Sequence, residues 1–232
     1  MNQFSEMYGW VQSQLSVTSS STFYTLTLIK SEINNAYLWA TSLFNWPQLE
    51  DAKKTSTVVN QDYYDYPSVW RPDSCFRLEI DNEKYDPKSF EDFLDYRLDN
   101  ANETGTLIFA NHGTQFWVFP TPTANGTNNL SAWGFENPTA LSADADTTIF
   151  SSVDPTGNTA VCKQALAVLQ AKGKDKKTSQ VEDAEAKSIL STIYSKIASQ
   201  QQKFQRLDHP KFDVPDYFRG KAVGEIGKFS ID

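Results

Sequence analysis

The chain of 232 residues lacks an excess of basic residues, long apolar runs and a leader-like start. Its 29 acidic residues outnumber its 21 lysines and arginines, which gives a formal net charge of −8. Because a firm hold on nucleic-acid phosphates normally needs a basic patch, we do not expect tight DNA binding. No apolar stretch approaches the roughly 18 residues that a membrane span needs, and residues 1–6 contain neither a basic nor an apolar leader region. We therefore expect a soluble protein that is made in a cytoplasm, with no membrane partner.

Cysteine and histidine are scarce, with two residues of each. Cys75 and Cys162 are too far apart to indicate a zinc ligand set or a dense disulfide framework, so we expect two buried or idle thiols in a reduced compartment. His112 and His209 show neither HxxxH nor HExxH spacing, which argues against a zinc hydrolase. The sequence also has no glycine-rich phosphate loop and no GxSxG nucleophile elbow. It therefore predicts no metal, no cofactor and no enzyme.

Carboxylates are the reactive groups that the sequence does supply. Glu91, Asp92 and Asp95 fall on one predicted short helix, where we expect them to face solvent. A small glycoside hydrolase, the enzyme alternative, would instead need Glu91 or Asp95 to face another carboxylate across a cleft. Asp144 and Asp146 lack the glycine and distal glutamate of an EF-hand loop, so we expect them to cap a turn.

Helical periodicity marks both ends of the chain. Residues 1–50 place apolar residues at i, i+3, i+4 and i+7 in two segments. Thr22 or Thr25 is expected to cap the second segment, and Pro47 to end it. Residues 151–207 show two further helical stripes, interrupted by a charged stretch around Gly173.

The middle of the chain has the pattern of short strands. Thr57–Val59 and Tyr63–Tyr66 are rich in β-branched or aromatic residues and are bounded by turn residues. Thr106–Phe119 is predicted to be a hairpin. Asp86-Pro87 has the pattern of an N-cap followed by proline at the first helical position, which predicts a short helix within the β region.

These segments predict an α+β fold, because helices with a single apolar face must bury that face against one another. Residues 1–50 and 151–207 are expected to form a helical bundle domain. Residues 51–150 would be an inserted, mainly antiparallel β module, and residues 208–232 an extended C-terminal tail that needs a partner to become ordered.

Three tyrosines in four positions distinguish the start of the β region. Alternate residues of a strand point to opposite faces, so the three side chains cannot all enter one core. Tyrosine is favoured at protein interfaces. We therefore predict that Tyr63, Tyr64 and Tyr66 contribute to a contact with another subunit or with a tail protein.

The order of several short motifs resembles that of the head-to-tail adaptor proteins, or connectors, of tailed bacteriophages. In that family a helical bundle carries a β module with a P-x-P strand end and a P-x-x-L-s turn before the C-terminal helices. The resemblance covers about residues 22–207 and depends on five segments: Leu43–Pro47, Thr55–Tyr66, Gln115–Pro122, Leu130–Phe135 and Pro138–Ser142. The chain departs from the pattern in a longer connection at Tyr85–Gly105 and in its tail.

The resemblance implies a non-enzymatic structural protein of the virion neck. Such adaptors form a ring, usually of twelve copies, beneath the portal protein, offer a docking surface to tail or nozzle proteins, and line part of the DNA exit channel. The C-terminal helix and its extension resemble the segment that docks on the portal. The apolar anchors there would be Phe204, Leu207, Phe212, Tyr217 and Phe218.

A binding module is the alternative from another functional class. The β region could be a carbohydrate- or receptor-binding sandwich at a virion surface. That hypothesis predicts exposed aromatic residues on one β face and a stable monomer or trimer, whereas the adaptor hypothesis predicts a larger ring.

Overall fold

The computed structural model describes residues 1–17, 21–100, 105–173 and 175–208, and for residues 200–208 it describes the backbone. Met1–Leu190 form one compact unit, and the later turns of the last helix belong to a second unit, Ser191–Asp232. Apart from Asp208, which ends the last helix, the predicted tail lies outside the described residues. The described chain is α+β, as the sequence predicts.

The described residues form five α-helices. They are α1 (Phe4–Gln14), α2 (Leu26–Ser42), α3 (Phe90–Asp99), α4 (Thr156–Lys172) and α5 (Lys176–Asp208). Helices α1, α2 and α4 pack against one another, which confirms a bundle built from both ends of the chain. Thr25 is the N-cap of α2, and its hydroxyl oxygen accepts a hydrogen bond from the Leu28 N–H at 3.2 Å. Helix α5 is tied to α4 by Lys163, whose Nζ lies 2.7 Å from Glu182 Oε2.

Seven strands form one sheet in the middle of the chain. They are β1 (Glu50–Thr55), β2 (Tyr63–Asp65), β3 (Arg77–Ile80), β4 (Glu83–Lys88), β5 (Ile108–His112), β6 (Gln115–Phe119) and β7 (Leu130–Phe135). Their order is β1-β7-β3-β4-β5-β6-β2. Among the strand pairs of the described residues, β4–β5 alone is parallel, so the predicted mainly antiparallel arrangement is confirmed. The predicted hairpin is β5–β6, which turns through Gly113 at a φ of 63°.

Two local predictions are wrong, and tertiary pairing explains the first. Asp86 and Pro87 lie in β4 rather than at a helix start, because the Asp86 N–H donates to the Leu107 carbonyl at 2.9 Å as β4 joins β5. The cap of α3 is Ser89, whose Oγ accepts from the Asp92 N–H at 3.1 Å. Thr57–Val59 lie outside any strand, in the loop after β1.

The sheet curls and buries residues on both of its faces. The inner face holds the larger cluster of buried side chains, among them Tyr64, Tyr66, Phe116, Leu130 and Ala132. On the outer face, Phe93 of α3 packs with Ile108, Ala110 and Phe119. Helix α3 is therefore held against β5 and β6.

Both cysteines are free and buried, as the sequence predicts. Cys75 belongs to the inner cluster of the sheet, and Cys162 lies in α4. Burial raises the pKa of each thiol to about 12. Because the thiolate is the reactive form, neither residue is expected to react at neutral pH.

Candidate functional site

The sheet ends in two strands, β1 and β2, that each have a free edge. Within the described chain, β1 pairs only with β7 and β2 only with β6. A cavity of about 480 Å³ lies between these two strands. We call it the edge groove. Its floor is formed by Tyr64, Tyr66, Phe116, Leu130 and Ala132, and its rim includes Lys53, Lys54, Thr55 and Asp65.

The register of β1 decides what it presents to the edge groove. Lys53 lies opposite Ala132 and Thr55 opposite Leu130, so both side chains share the inner face with the groove floor. The Glu136 N–H donates to the Leu49 carbonyl at 2.8 Å. Because bonded and non-bonded pairs alternate along an antiparallel ladder, the N–H and C=O groups of Lys54 point away from β7. Every second residue of β1 therefore offers its backbone to an added strand.

The same alternation applies to β2 on the other side of the edge groove. The Val118 N–H donates to the Asp62 carbonyl, and the Tyr66 N–H donates to the Thr114 carbonyl, both at 2.8 Å. Tyr63 and Asp65, the non-bonded positions between these two pairs, therefore turn their backbone groups toward the free edge. Both strands that border the edge groove thus have backbone groups that point away from their one partner strand.

Charges on β1 are arranged so that one of its lysines lacks an ion-pair partner. Lys53 Nζ lies 2.9 Å from Asp51 Oδ2, and Trp70 Nε1 donates to the same oxygen at 2.9 Å. Burial acts to raise the pKa of Asp51, but the hydrogen bonds from Trp70 and Lys53 keep that pKa below its usual value. Lys54 forms no ion pair within the described chain and is exposed, so it supplies the accessible positive charge at the rim.

A row of aromatic rings lies on the outer face of the sheet. Tyr63 is opposite Trp117 with ring centroids 5.2 Å apart. The Trp117 ring lies 5.8 Å from Phe90, and Phe90 stacks on His112 at 4.2 Å. Tyr63 keeps 42% of its surface exposed. Tyr63 is therefore an exposed end of this row, as His112 is at its other end.

The structure separates the three predicted interface tyrosines. Tyr64 and Tyr66 are only 5% and 8% exposed and belong to the inner cluster. The Tyr66 hydroxyl donates to Asn111 Oδ1 at 2.7 Å and accepts from the Cys75 N–H at 3.1 Å, and burial raises its pKa. Among the three, Tyr63 alone has a ring available to another chain, so the predicted interface role narrows to Tyr63 and stays a prediction.

Helix α3 presents a second exposed surface beside the aromatic row. Arg97 Nη1 lies 2.6 Å from Asp62 Oδ2, which ties α3 to the residue before β2. Glu91, Leu94, Asp95 and Leu98 follow i, i+3, i+4, i+7 spacing and share one helix face. All four are exposed, and Leu98 retains 80% of its surface. The carboxylates of Glu91 and Asp95 thus face solvent, as predicted, and do not face each other across a cleft.

The other candidate residues have structural partners or lie outside the described part of the chain. Asp146 accepts hydrogen bonds from the Ser142 and Ala143 N–H groups at 2.6 and 2.8 Å, which lower its pKa and confirm the predicted turn cap. For Asp144 the predicted turn cap is wrong, because its carboxylate pairs with Lys30 at 2.9 Å. The described residues contain no group of three or more histidine, cysteine or acidic residues that could hold a metal ion.

The predicted portal anchors are only partly covered by the structure. Phe204 and Leu207 belong to α5, for which the structure describes the backbone at these positions. The other three anchors, Phe212, Tyr217 and Phe218, lie outside the described residues, as does His209. Their role stays a prediction.

Comparison with known proteins gives one family. A protein-family model described as SU10 adaptor protein matches residues 8–209, which include the whole sheet and α2 to α5. A search of curated proteins gives no match. Among the helices of the described residues, none combines the length and the apolar character needed to cross a membrane.

Proposed function

Since the chain belongs to the SU10 adaptor protein family, a family of phage adaptors, we propose that it assembles as a homo-oligomeric ring between the portal protein and the tail. The observation that carries this proposal is the family match over residues 8–209. The ring would hold twelve copies and join the capsid vertex to tail or nozzle proteins. This role needs no catalysis and no cofactor.

The exposed outer face supplies surfaces for contacts between neighbouring subunits. Tyr63 is an exposed aromatic residue, and Leu94 and Leu98 are exposed leucines on α3. Aromatic residues and buried apolar contacts carry much of the binding energy of protein interfaces. We assign these three residues to the subunit contact of the ring.

The charge of the β region supports a channel that DNA crosses without being held. Residues 50–99 contain thirteen acidic and seven basic residues. An acidic wall repels phosphates, whereas a basic wall would bind them through counterion release. We therefore assign part of this acidic surface to the lining of the DNA exit channel.

Assembly with the portal protein of the same phage tests the proposed ring. We expect the purified chain to be monomeric alone and to add twelve copies to each portal ring, measured by mass photometry after size-exclusion chromatography. A stable monomer or trimer that does not bind the portal protein but binds glycans would contradict the proposal and favour the carbohydrate-binding alternative.

Two matched variants test the subunit contact in the same assay. Tyr63→Ser is expected to reduce ring yield about ten-fold, as loss of an interface hot spot would. Phe76→Ser is the control, because Phe76 is 43% exposed and lies before β3, away from the aromatic row. Equal yields for both variants would remove Tyr63 from the subunit contact.

DNA retention by the assembled ring tests the channel assignment. We expect no binding of double-stranded DNA in a filter assay at physiological ionic strength, because the acidic chain offers few phosphate contacts. Micromolar binding that weakens steeply with added salt would show a basic DNA-holding surface and contradict the assignment.

A further inference from the structure

The edge groove has the features of a site for strand addition. We propose that it binds Lys228–Asp232 of a second copy of this chain as an added β-strand. The inference rests on the proposed homo-oligomer, since it requires a neighbouring copy. It assigns that oligomer a contact that is separate from Tyr63 and from the portal anchors.

The groove offers an added strand both backbone and side-chain partners. Lys54 on β1 and Asp65 on β2 direct their N–H and C=O groups toward the opening, as the ladders on either side require. Free strand edges readily accept another strand. Main-chain hydrogen bonds then supply affinity, while pockets for alternate side chains supply specificity. Here the apolar floor, with Tyr64 and Leu130 among its residues, would receive every second side chain.

The sequence beyond the described residues contains a segment with the required alternation. Lys228–Asp232 is the longest stretch of 209–232 without proline or glycine. Its apolar residues Phe229 and Ile231 alternate with polar residues, so both can face the groove floor while the others face outward. A similar stretch, Lys211–Val214, is shorter and is followed by Pro215, which has no N–H to donate.

Charge and chain length are both compatible with a second copy as the source. Asp232 ends the segment with a carboxylate, and Lys54 supplies the unpaired positive charge at the rim of the groove. The twenty residues from Asp208 to Lys228 can span roughly 65 Å when extended. A compact unit of the size of Met1–Leu190 has a radius of gyration of roughly 16 Å. The connecting segment is roughly four times as long as that radius, which is compatible with a contact between adjacent copies.

A disulfide between two chains gives the direct test. A tagged full-length chain carries Lys54→Cys at the rim of the groove, and an untagged chain carries Ser230→Cys. Both side chains lie on the face opposite the groove floor when Phe229 and Ile231 point toward that floor. The two are mixed with portal protein and oxidised. The native thiols Cys75 and Cys162 are buried and should not compete. We expect a tagged–untagged dimer on non-reducing gels, and its yield should fall at least ten-fold when Ala222→Cys replaces Ser230→Cys.

The chain that carries both Lys54→Cys and Ser230→Cys separates the two possible sources of the strand. Covalent multimers would support a neighbouring copy. A cross-linked monomer alone would show that the chain fills its own groove and would overturn the inference. A ring that assembles on the portal without any cross-link would also overturn it, while leaving the proposed function intact.

A peptide assay tests recognition without requiring a ring. The probe is a fluorescein-labelled peptide of residues 225–232, added to the full chain carrying Phe229→Ala and Ile231→Ala so that its own segment is disabled. We expect saturable binding of this peptide, measured by fluorescence anisotropy. Two control peptides, one with the same two alanines and one of residues 209–216, should bind with an affinity at least about ten-fold lower. Equal binding of all three peptides would overturn the inference.

Reversing the charge at the rim adds a control for where the peptide binds. Lys54→Glu should weaken the unmodified peptide about three-fold, the size of an exposed ion pair, and an Asp232→Lys peptide should recover that loss. Peptide binding by a chain that forms no ring even when portal protein is added would support the edge groove and contradict the proposed function, so the two failures can be told apart.

Discussion

Replacing Trp46 with alanine is expected to lower the free energy of unfolding by about 3–5 kcal/mol, the usual cost of deleting a buried tryptophan side chain. Trp46 follows α2 and is fully buried. Its ring packs edge-on against Phe150 at 5.0 Å and against Phe44 at 5.6 Å. Loss of the ring would leave a cavity between the end of α2 and the segment that leads into α4.

A hydrogen bond adds to this packing. Trp46 Nε1 donates to the Ala40 carbonyl at 3.1 Å. Ala40 lies in the last turn of α2, where carbonyl groups have no partner within the helix. The indole N–H therefore stabilises the C-terminal end of α2 as well as filling space.

Urea unfolding followed by circular dichroism measures the effect, and Trp46→Phe separates its two causes. Phenylalanine retains most of the apolar ring but loses the donor, so we expect a smaller loss of about 1–3 kcal/mol for an unsatisfied buried carbonyl. If Trp46→Ala costs less than Trp46→Phe, the packing argument is wrong.

Local sequence signals were sufficient where the structure depends on local contacts. The Thr25 cap, the β5–β6 hairpin and the amphipathic helices all follow from residues that lie close together in the chain. Strand geometry alone also explains why the side chains of Tyr63 and Tyr64 lie on opposite faces of the sheet. The signal predicted that the tyrosines must divide between two faces, though not which of them would stay exposed.

The sequence was a poor guide where distant segments decide the structure. Strand β1 reads Glu-Asp-Ala-Lys-Lys-Thr, without the alternation that marks a strand, and it forms because it pairs with β7. Asp86-Pro87 carries a strong local helix signal that pairing with β5 overrides. The edge groove depends on the curl of the whole sheet, so no local motif could have revealed it.

Deleting residues 208–232 is expected to leave the fold intact and to abolish docking on the portal. Met1–Leu190 form a compact unit of their own, so the unfolding temperature should change by no more than about 2 °C. A shift of that size corresponds to a change of less than about 1 kcal/mol in the free energy of unfolding. The deleted segment contains proline and glycine at five positions and shows no regular apolar period. We therefore expect the segment to act through a partner rather than through the core of the protein.

The deletion also removes Lys228–Asp232, so two full-length variants are needed to assign its effect. The first variant combines Phe212→Ala, Tyr217→Ala and Phe218→Ala and should abolish portal docking, because it removes three apolar anchors. A loss of about 1.4 kcal/mol of binding free energy already weakens affinity tenfold, and we expect the three anchors together to contribute far more. Phe229→Ala/Ile231→Ala should retain docking and lose only the contact between copies. If the deletion unfolds the protein, the segment belongs to the core. If the triple variant still docks, the portal contact lies elsewhere on the chain, and the tail serves the ring alone.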